Sequence, residues 1–209
     1  MISLFIDTSS TTAIVSIYKD IECISLQKED NLRDVSSRVM QMLDNALKEA
    51  NIDIKKINKI FVVNGPGSFT GLRIGVTIAK TIAWSLNIPV VPVSSLEVLA
   101  TTDCESDYII PYIDARREFV FAGIYNKDLE TLVPDQYLQI NTLLSYLNDS
   151  KTYTFVGEGD LGFENKFIPN LNIGKIIAKH FDEEGINPHS LNPNYLKKTE
   201  AEEKLNKND

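Results

Sequence analysis

A strand-like run that leads through a glycine-rich turn into a long helix restricts the fold of this chain more than any other feature. Residues 59–64 (KIFVVN) are apolar enough to form a strand buried on both faces of a sheet, and the turn 65–71 (GPGSFTG) follows directly. A helix is predicted over 72–86, and Pro89 ends it because proline disfavours helical backbone in the residue before it. This succession predicts an α/β fold.

The segments around this unit predict the rest of a mixed sheet. Three strand-like runs, 2–7, 12–18 and 22–27, are separated by short turns, which favours an antiparallel meander. A strand at 90–93 and a helix that ends near Ala100 are predicted after the glycine-rich unit. Between these parts a long amphipathic helix is predicted, because apolar residues recur at three- and four-residue steps, at Val35, Val39, Met42, Leu43, Ala46, Leu47 and Ala50.

A polar stretch at 101–106 is the predicted boundary between two domains, 1–102 and 103–209. The second domain is predicted to contain strands at 108–113, 119–125 and 152–156, with helices at 140–147 and 173–181. The charged C-terminal tail is predicted to fray after about Thr199.

Composition argues against several classes of function. The chain has 21 Lys and Arg against 29 Asp and Glu, a formal charge of −8, which argues against a protein that mainly grips a phosphate backbone. Cys23 and Cys104 are the only cysteines and form no CxxC pair, so they are predicted to be reduced intracellular thiols. No apolar run approaches the length of a membrane span, about 18 residues, and the N-terminus lacks the pattern of a signal peptide. We therefore expect a cytoplasmic protein without a membrane partner.

The glycine-rich turn at 65–71 fails both common phosphate-binding templates. A P-loop requires a lysine after its last glycine, but Leu72 and Arg73 follow Gly71. The dinucleotide fingerprint GxGxxG fails because the third glycine falls one residue late. A tight structural turn is favoured over phosphate binding on the pattern alone.

The helix after this turn has small residues at a strict four-residue interval: Gly71, Gly75, Ala79 and Ala83. Positions four apart lie on one helix face, so these residues form a ridge on which another backbone can pack closely. Ile78, Ile82 and Leu86 form an adjacent apolar row. The helix is therefore either sandwiched within its own chain or part of a protein–protein interface, and the pattern favours neither.

Motifs spread along nearly the whole chain resemble the bacterial TsaB (YeaZ) family. The most specific is the stretch 64–75 (NGPGSFTGLRIG), and the others lie in the family's order at 6–9 (IDTS), 92–97 (PVSSLE), 114–117 (DARR) and 193–196 (PNYL). The resemblance implies an actin-like, ribonuclease-H-like α/β fold of mixed sheets flanked by helices in two subdomains. Residues 1–102 would form the ribonuclease-H-like subdomain with the glycine-rich loop and the docking helices, and 103–209 the second, smaller actin-like subdomain.

The resemblance also implies a role in tRNA modification. Family members bind and support TsaD, the catalytic paralogue that transfers a threonylcarbamoyl group to the tRNA adenosine beside the anticodon. A small ATPase, TsaE, joins them, and homodimers form when the partner is absent. The chain is thus expected to act without a cofactor and to meet tRNA only indirectly. Partner binding is predicted on the two helices of the first subdomain, at Val39, Leu43, Gly71, Gly75, Ala79 and Ala83.

The residues themselves offer little for catalysis. The metal site of the catalytic paralogue uses an HxxxH pair, whereas the histidines here, His180 and His189, are nine apart and are predicted to be solvent-exposed. No histidine precedes them to serve as a base for a serine nucleophile. We therefore predict no catalytic and no metal-ligating residues.

A weak ATP-binding or ATPase activity of the actin-like group is the alternative. Actin-like ATPases place a metal-linked acid and a phosphate-binding turn after their first strand, where this chain has an acid followed by hydroxyl residues. A vestigial nucleotide site would then comprise Asp7, Thr8, Ser9, Gly67 and Ser68. The competing interpretation of Asp7 is a turn-forming acid bound to nearby backbone N–H groups.

Overall fold

A computed structural model describes residues 1–30, 34–147 and 150–197. Its first sheet has five strands in the order β3-β2-β1-β4-β5. The strands are β1 (Ile2–Asp7), β2 (Ala13–Lys19), β3 (Glu22–Glu29), β4 (Lys59–Gly65) and β5 (Val90–Ser94). Strands β1 to β3 form an antiparallel meander, and β4 and β5 extend the sheet in parallel, so the predicted mixed sheet is confirmed.

The second sheet also has five strands, in the order β10-β9-β6-β7-β8. They are β6 (Tyr108–Asp114), β7 (Phe119–Tyr125), β8 (Thr131–Gln139), β9 (Tyr153–Val156) and β10 (Lys166–Phe167). The sequence did not predict β8 or β10. Pro134 and Asp135 interrupt the apolar pattern of β8, which is possible because β8 is an edge strand, and β10 has only two residues.

Five α-helices flank these sheets within the described residues: α1 (Val35–Ala50), α2 (Phe69–Leu86), α3 (Ser95–Ala100), α4 (Ile140–Ser145) and α5 (Ile173–Lys179). Short 3-10 turns lie at Ile54–Lys56 and Pro188–Ser190. None of the helices in this part of the chain is long and apolar enough to cross a membrane. Two mixed sheets flanked by helices are the predicted actin-like architecture.

Helix α2 begins three residues earlier than predicted because the glycine-rich turn supplies its cap. The Ser68 side chain accepts a hydrogen bond from the Gly71 N–H, which would otherwise be unpaired at the helix start. The helix ends at Leu86, and Asn87 caps it with a φ of 53°, in the left-handed region that asparagine tolerates. The predicted stop near Pro89 is therefore correct.

The small-residue ridge of α2 packs on the chain's own first sheet. A Cβ added at Gly71 would lie 2.0 Å from the Thr8 backbone oxygen, and one added at Gly75 would lie 2.4 Å from Thr8 Oγ1. Ala79 and Ala83 are completely buried in the same core. The ridge thus allows α2 to approach β1 closely, so this face of the helix packs within the chain.

The predicted partner-binding residues consequently need correction. Gly71, Gly75, Ala79 and Ala83 face the sheet, and the α1 residues Val39 and Leu43 lie in the same core with 0% and 3% of their surfaces exposed. An amphipathic helix turns its most regular apolar row towards its own sheet, because that row buries the most apolar surface there. These six residues are therefore not a docking surface of the folded chain.

The C-terminal part of the chain returns to the first sheet. Ile186 forms a β-bridge with Val90, and Leu191 is buried in the core between the first sheet and helices α1 and α2. The Asn194 N–H donates a hydrogen bond of 2.7 Å to the Asn64 backbone oxygen. The domain boundary at residue 102 stays a prediction, and the predicted fraying of the tail lies outside the described residues.

A buried polar network joins α3 of the first half to α5 of the second. The Glu97 carboxylate accepts hydrogen bonds from Lys179 Nζ at 2.6 Å and from His180 Nε2 at 3.0 Å. The other ring nitrogen of His180 lies 2.6 Å from a Glu183 oxygen. The predicted solvent exposure of His180 is wrong, since only 12% of its side chain is exposed, whereas His189 is exposed as predicted.

The protonated form of His180 fits this network. A neutral imidazole donates from one nitrogen only, and here both nitrogens face carboxylate oxygens. Burial of the ring favours a lower pKa, but the hydrogen bonds to Glu97 and Glu183 outweigh it and raise the pKa of His180. Burial likewise favours a higher pKa for Glu97, and the hydrogen bonds from His180 and Lys179 hold that pKa below its usual value.

We predict that stability falls at alkaline pH because of His180. The folded chain holds the histidine proton more tightly than the unfolded chain, so the stabilisation is complete below the ordinary histidine pKa of about 6.5. It is lost as the pH rises through the raised pKa of His180. Urea unfolding of the wild type and of His180→Gln between about pH 5.5 and 8.5 tests this, and the variant should lose less free energy of unfolding over that range. If the free energy of unfolding had the same dependence on pH in both proteins, the proposed role of His180 in the network would be wrong.

We further predict that Ala79→Glu destabilises the chain instead of acting only on an interface. The substitution places a carboxylate in the core between α2 and the sheet, at a cost of about 3 kcal/mol or more. Urea denaturation measures the loss, with Thr81→Glu on the exposed side of α2 as the matched control. Equal unfolding midpoints for the two variants would show that the ridge does not face the sheet.

Candidate functional site

A groove lies between α1 and α2 and is lined by apolar surface. It has a volume of about 550 Å³. Its lining is mostly apolar and comprises Ser36, Met40, Phe69, Thr70, Arg73, Ile74, Thr77 and Ile78. Met40 and Phe69 each leave 49% of their surface exposed, which is high for large apolar side chains. Exposed apolar surface gathered in a concavity is typical of a protein interaction site.

The groove is made from the outward faces of the helices whose inward faces form the core. On α1, Met40 is an apolar residue among polar neighbours such as Ser36, Ser37 and Gln41. On α2, Ile74 and Ile78 lie beside the buried ridge and are only partly covered. The sequence did not predict Met40, Phe69, Arg73 and Ile74 as site residues. An apolar residue on the polar face of an amphipathic helix was the available signal for Met40.

Aromatic and cationic side chains meet at the Phe69 end of the groove. The rings of Phe69 and Tyr195 stack with 5.1 Å between centroids. The guanidinium carbon of Arg73 lies 3.8 Å from the Phe69 ring centroid, and Arg73 Nε donates a hydrogen bond of 2.9 Å to the Tyr195 hydroxyl. The arginine is thus fixed from two sides.

The C-terminal segment 188–195 runs along α2 towards this end. Lys80 Nζ donates hydrogen bonds to the backbone oxygens of His189, at 3.0 Å, and Leu191, at 3.2 Å. Trp84, which is 63% exposed, contacts the His189 ring edge-on with 6.3 Å between centroids. The segment therefore borders α2, although it lies far from this helix in sequence.

The same segment holds the glycine-rich turn. Gly65 has a φ of 135°, and a Cβ there would lie 2.4 Å from the Asn194 backbone oxygen. No other residue type fits this position, because both the dihedral angle and the close approach exclude a side chain. The glycine at 65 is explained by packing.

The five residues of the predicted nucleotide site come together, and they bind one another. The Ser68 N–H donates to the Ser9 backbone oxygen at 2.7 Å, and Thr8 Oγ1 donates to the Gly71 backbone oxygen at 2.7 Å. A Cβ at Gly67 would lie 2.3 Å from the Ser9 backbone oxygen. The turn after β1 and the glycine-rich turn thus contact each other directly, as a structural turn would.

Asp7 has the turn-forming role that the sequence analysis considered. Its Oδ1 accepts a hydrogen bond of 2.8 Å from the Ser9 N–H, and 6% of the residue is exposed. Burial raises the pKa of Asp7 against the opposing effect of the Ser9 hydrogen bonds.

The remaining polar motifs form local contacts. Arg116 pairs with Asp114 at 3.4 Å on the exposed turn between β6 and β7. His180 and His189 have separate environments, with Glu97 and Glu183 around the first and Trp84 beside the second. Among the described residues, no three His, Cys, Asp or Glu side chains converge as a metal site would require.

Comparisons with known proteins agree with this fold. The family model described as "TsaD: tRNA N6-adenosine threonylcarbamoyltransferase" matches residues 29–203. The tRNA threonylcarbamoyladenosine biosynthesis protein TsaB of Bacillus subtilis (strain 168) is 34% identical, over 98% of this chain and 97% of that protein. A shorter match, 40% identical over 31% of this chain and 19% of that protein, is the tRNA N6-adenosine threonylcarbamoyltransferase of Persephonella marina (strain DSM 14350 / EX-H1).

A solved structure has the same fold. YeaZ from Pseudomonas aeruginosa superposes with a TM-score of 0.76 at 20% identity, over 93% of this chain and 100% of that chain. At this identity the likeness shows the fold alone. The relation to the Bacillus protein, which extends over almost the full length of both chains, shows the family. The chain belongs to the TsaB (YeaZ) family.

Proposed function

We propose that this chain is a non-catalytic subunit in tRNA threonylcarbamoyladenosine biosynthesis and that it supports a TsaD-like threonylcarbamoyltransferase by binding it through the α1–α2 groove. The exposed apolar groove is the observation that carries the proposal. The name of the Bacillus relative supports the pathway. The partner is supported by the family model, whose matched range 29–203 includes both groove helices.

The physical case for docking is the apolar surface that remains in water. Met40 and Phe69 are half exposed, and Ile74 and Ile78 lie between them with part of their surface uncovered. Burying such side chains against a partner stabilises a complex by about 25 cal/mol for each Å² removed from water, before the costs of association are subtracted. A few central apolar contacts of this kind usually dominate the affinity of an interface.

A partner of the same fold is a suitable occupant. The threonylcarbamoyltransferase family model covers α1 and α2 of this chain, so a transferase of that family has counterparts of both helices. Two such helix pairs can pack face to face as a four-helix layer. A second copy of this chain can use the same surface, which accounts for the expected homodimer in the absence of the partner. A TsaE-like ATPase would join this complex at another surface.

The proposed absence of catalysis follows from what the candidate groups already bind. Asp7, Thr8 and Ser68 are engaged with one another or with the backbone, and His180 lies between two carboxylates. The net charge of −8 supports an indirect relation to tRNA, through the partner.

We predict that Met40→Glu weakens binding to the TsaD-like protein of the same organism by roughly 100-fold, because a carboxylate would be buried in an apolar interface. Isothermal titration calorimetry measures the affinity, and threonylcarbamoyl transfer to tRNA should fall in parallel at limiting concentration. Asn45→Glu, exposed on the same helix but outside the groove, is the control. Wild-type affinity in Met40→Glu would place the interface elsewhere.

The alternative function is weak ATP binding or hydrolysis centred on Asp7. It requires saturable, magnesium-dependent ATP binding that is lost in Asp7→Asn, a change of similar size. We expect no saturable binding to the wild-type chain, because the two turns that would surround the phosphates are bonded to each other. Equilibrium dialysis with labelled ATP measures this, and binding that depends on Asp7 would favour the alternative.

A further inference from the structure

We propose that Arg73 supplies the charged contact of the α1–α2 groove and that the partner segment which fills the groove presents an aspartate or glutamate to its guanidinium. This inference rests on the proposed function, since it specifies the chemistry of the partner at the same groove. The partner segment in the groove would be mostly apolar and carry one carboxylate, as one face of a helix can.

The guanidinium is held in place before any partner arrives. Its carbon lies 3.8 Å from the Phe69 ring centroid and 6.0 Å from that of Tyr195. The Nε–H donates to the Tyr195 hydroxyl at 2.9 Å, which leaves the two terminal amino groups to bind something else. An arginine fixed in this way loses less side-chain entropy when it binds a partner.

The other described arginines show how unusual the position of Arg73 is. Arg38 donates to both carboxylate oxygens of Glu29, at 2.7 and 2.8 Å, and Arg116 pairs with Asp114. Arg73 pairs with no carboxylate of the described residues. Arg117 also lacks one, and both arginines are exposed. Arg73 differs because it lines the groove and is held by Phe69 and Tyr195.

Docking changes the energetics of this cation. A partner that covers Met40, Ile74 and Ile78 also removes water from Arg73, and an unpaired buried guanidinium would cost most of the affinity that the apolar contacts provide. A carboxylate meets the planar fork with two parallel hydrogen bonds and cancels the charge. The interface is therefore expected to contain one acid opposite Arg73.

An acidic protein segment fits this groove better than a nucleic acid. Of the side chains that line it, Arg73 is the only cation, and the chain as a whole carries a charge of −8. Phosphate backbones are bound by several cations together, and the apolar lining offers them nothing. Apolar contacts around a single arginine are typical of the centre of a protein–protein interface.

The experiment measures the dissociation constant of the TsaD-like partner for wild type, Arg73→Gln and Arg73→Lys at two salt concentrations, with Met40→Glu alongside. Arg73→Gln should weaken binding by about 10- to 100-fold and flatten the salt dependence, because one charge pair is lost. Arg73→Lys keeps the positive charge but lacks the planar guanidinium, so its dissociation constant should lie between those of the wild type and Arg73→Gln. Binding by this variant would also show that the fold tolerates a substitution at this position.

Charge reversal identifies the acid. Arg73→Glu should bind poorly to the wild-type partner, and one Asp→Arg or Glu→Arg variant of the partner should restore at least about 10-fold of the affinity. If Arg73→Gln binds like wild type while Met40→Glu does not, the carboxylate pairing is wrong and the docking groove stands. If Met40→Glu also binds normally, the proposed function itself fails. A loss for Arg73→Gln that appears only when tRNA is present would overturn the pairing in favour of a phosphate.

Discussion

The close approach of helix α2 to strand β1 is the contact on which the other features of the first half depend. It is possible because Gly71 and Gly75 have no side chains where Thr8 lies, and because Ala79 and Ala83 add only a methyl group each. The face of α2 that carries these small residues packs on the sheet. The face that carries Arg73 and Ile74 therefore points outwards beside α1. The groove and Arg73 are consequences of this orientation.

The close approach of α2 to β1 also places the glycine-rich turn against the turn that follows β1. Since α2 begins against the end of β1, the turn that precedes α2 meets the turn that follows β1. The Ser68 N–H of the first turn donates a hydrogen bond to the Ser9 backbone oxygen of the second. The actin-like architecture is retained while the residues that resemble a phosphate site serve as packing.

The C-terminal segment links this first half to the candidate interface. Asn194 closes over Gly65, Leu191 enters the core, and Tyr195 fixes the guanidinium at the end of the groove. Between the two halves, Lys179 and His180 bond to the buried carboxylate of Glu97. Buried charges of this kind tolerate few alternative arrangements, so they specify how α5 lies against α3.

The chain's motifs and periodicity by themselves determined the family, the α/β class and the order of the elements in the first half. Hydrophobic period and turn residues are local signals, so they could be found without coordinates. Strand β8 was missed because tertiary pairing, against its own composition, makes it a strand.

Which face of each helix is buried was decided only by the tertiary structure. The predicted docking residues Val39, Leu43 and Ala79 lie on the most regular apolar rows, but a row in a sequence does not state whether its partner is the chain's own sheet or another molecule. The groove residues Met40 and Arg73 are isolated in sequence, and Tyr195 joins them from a distant segment. Such a site depends on how α1, α2 and the C-terminal segment pack together, which no local pattern contains.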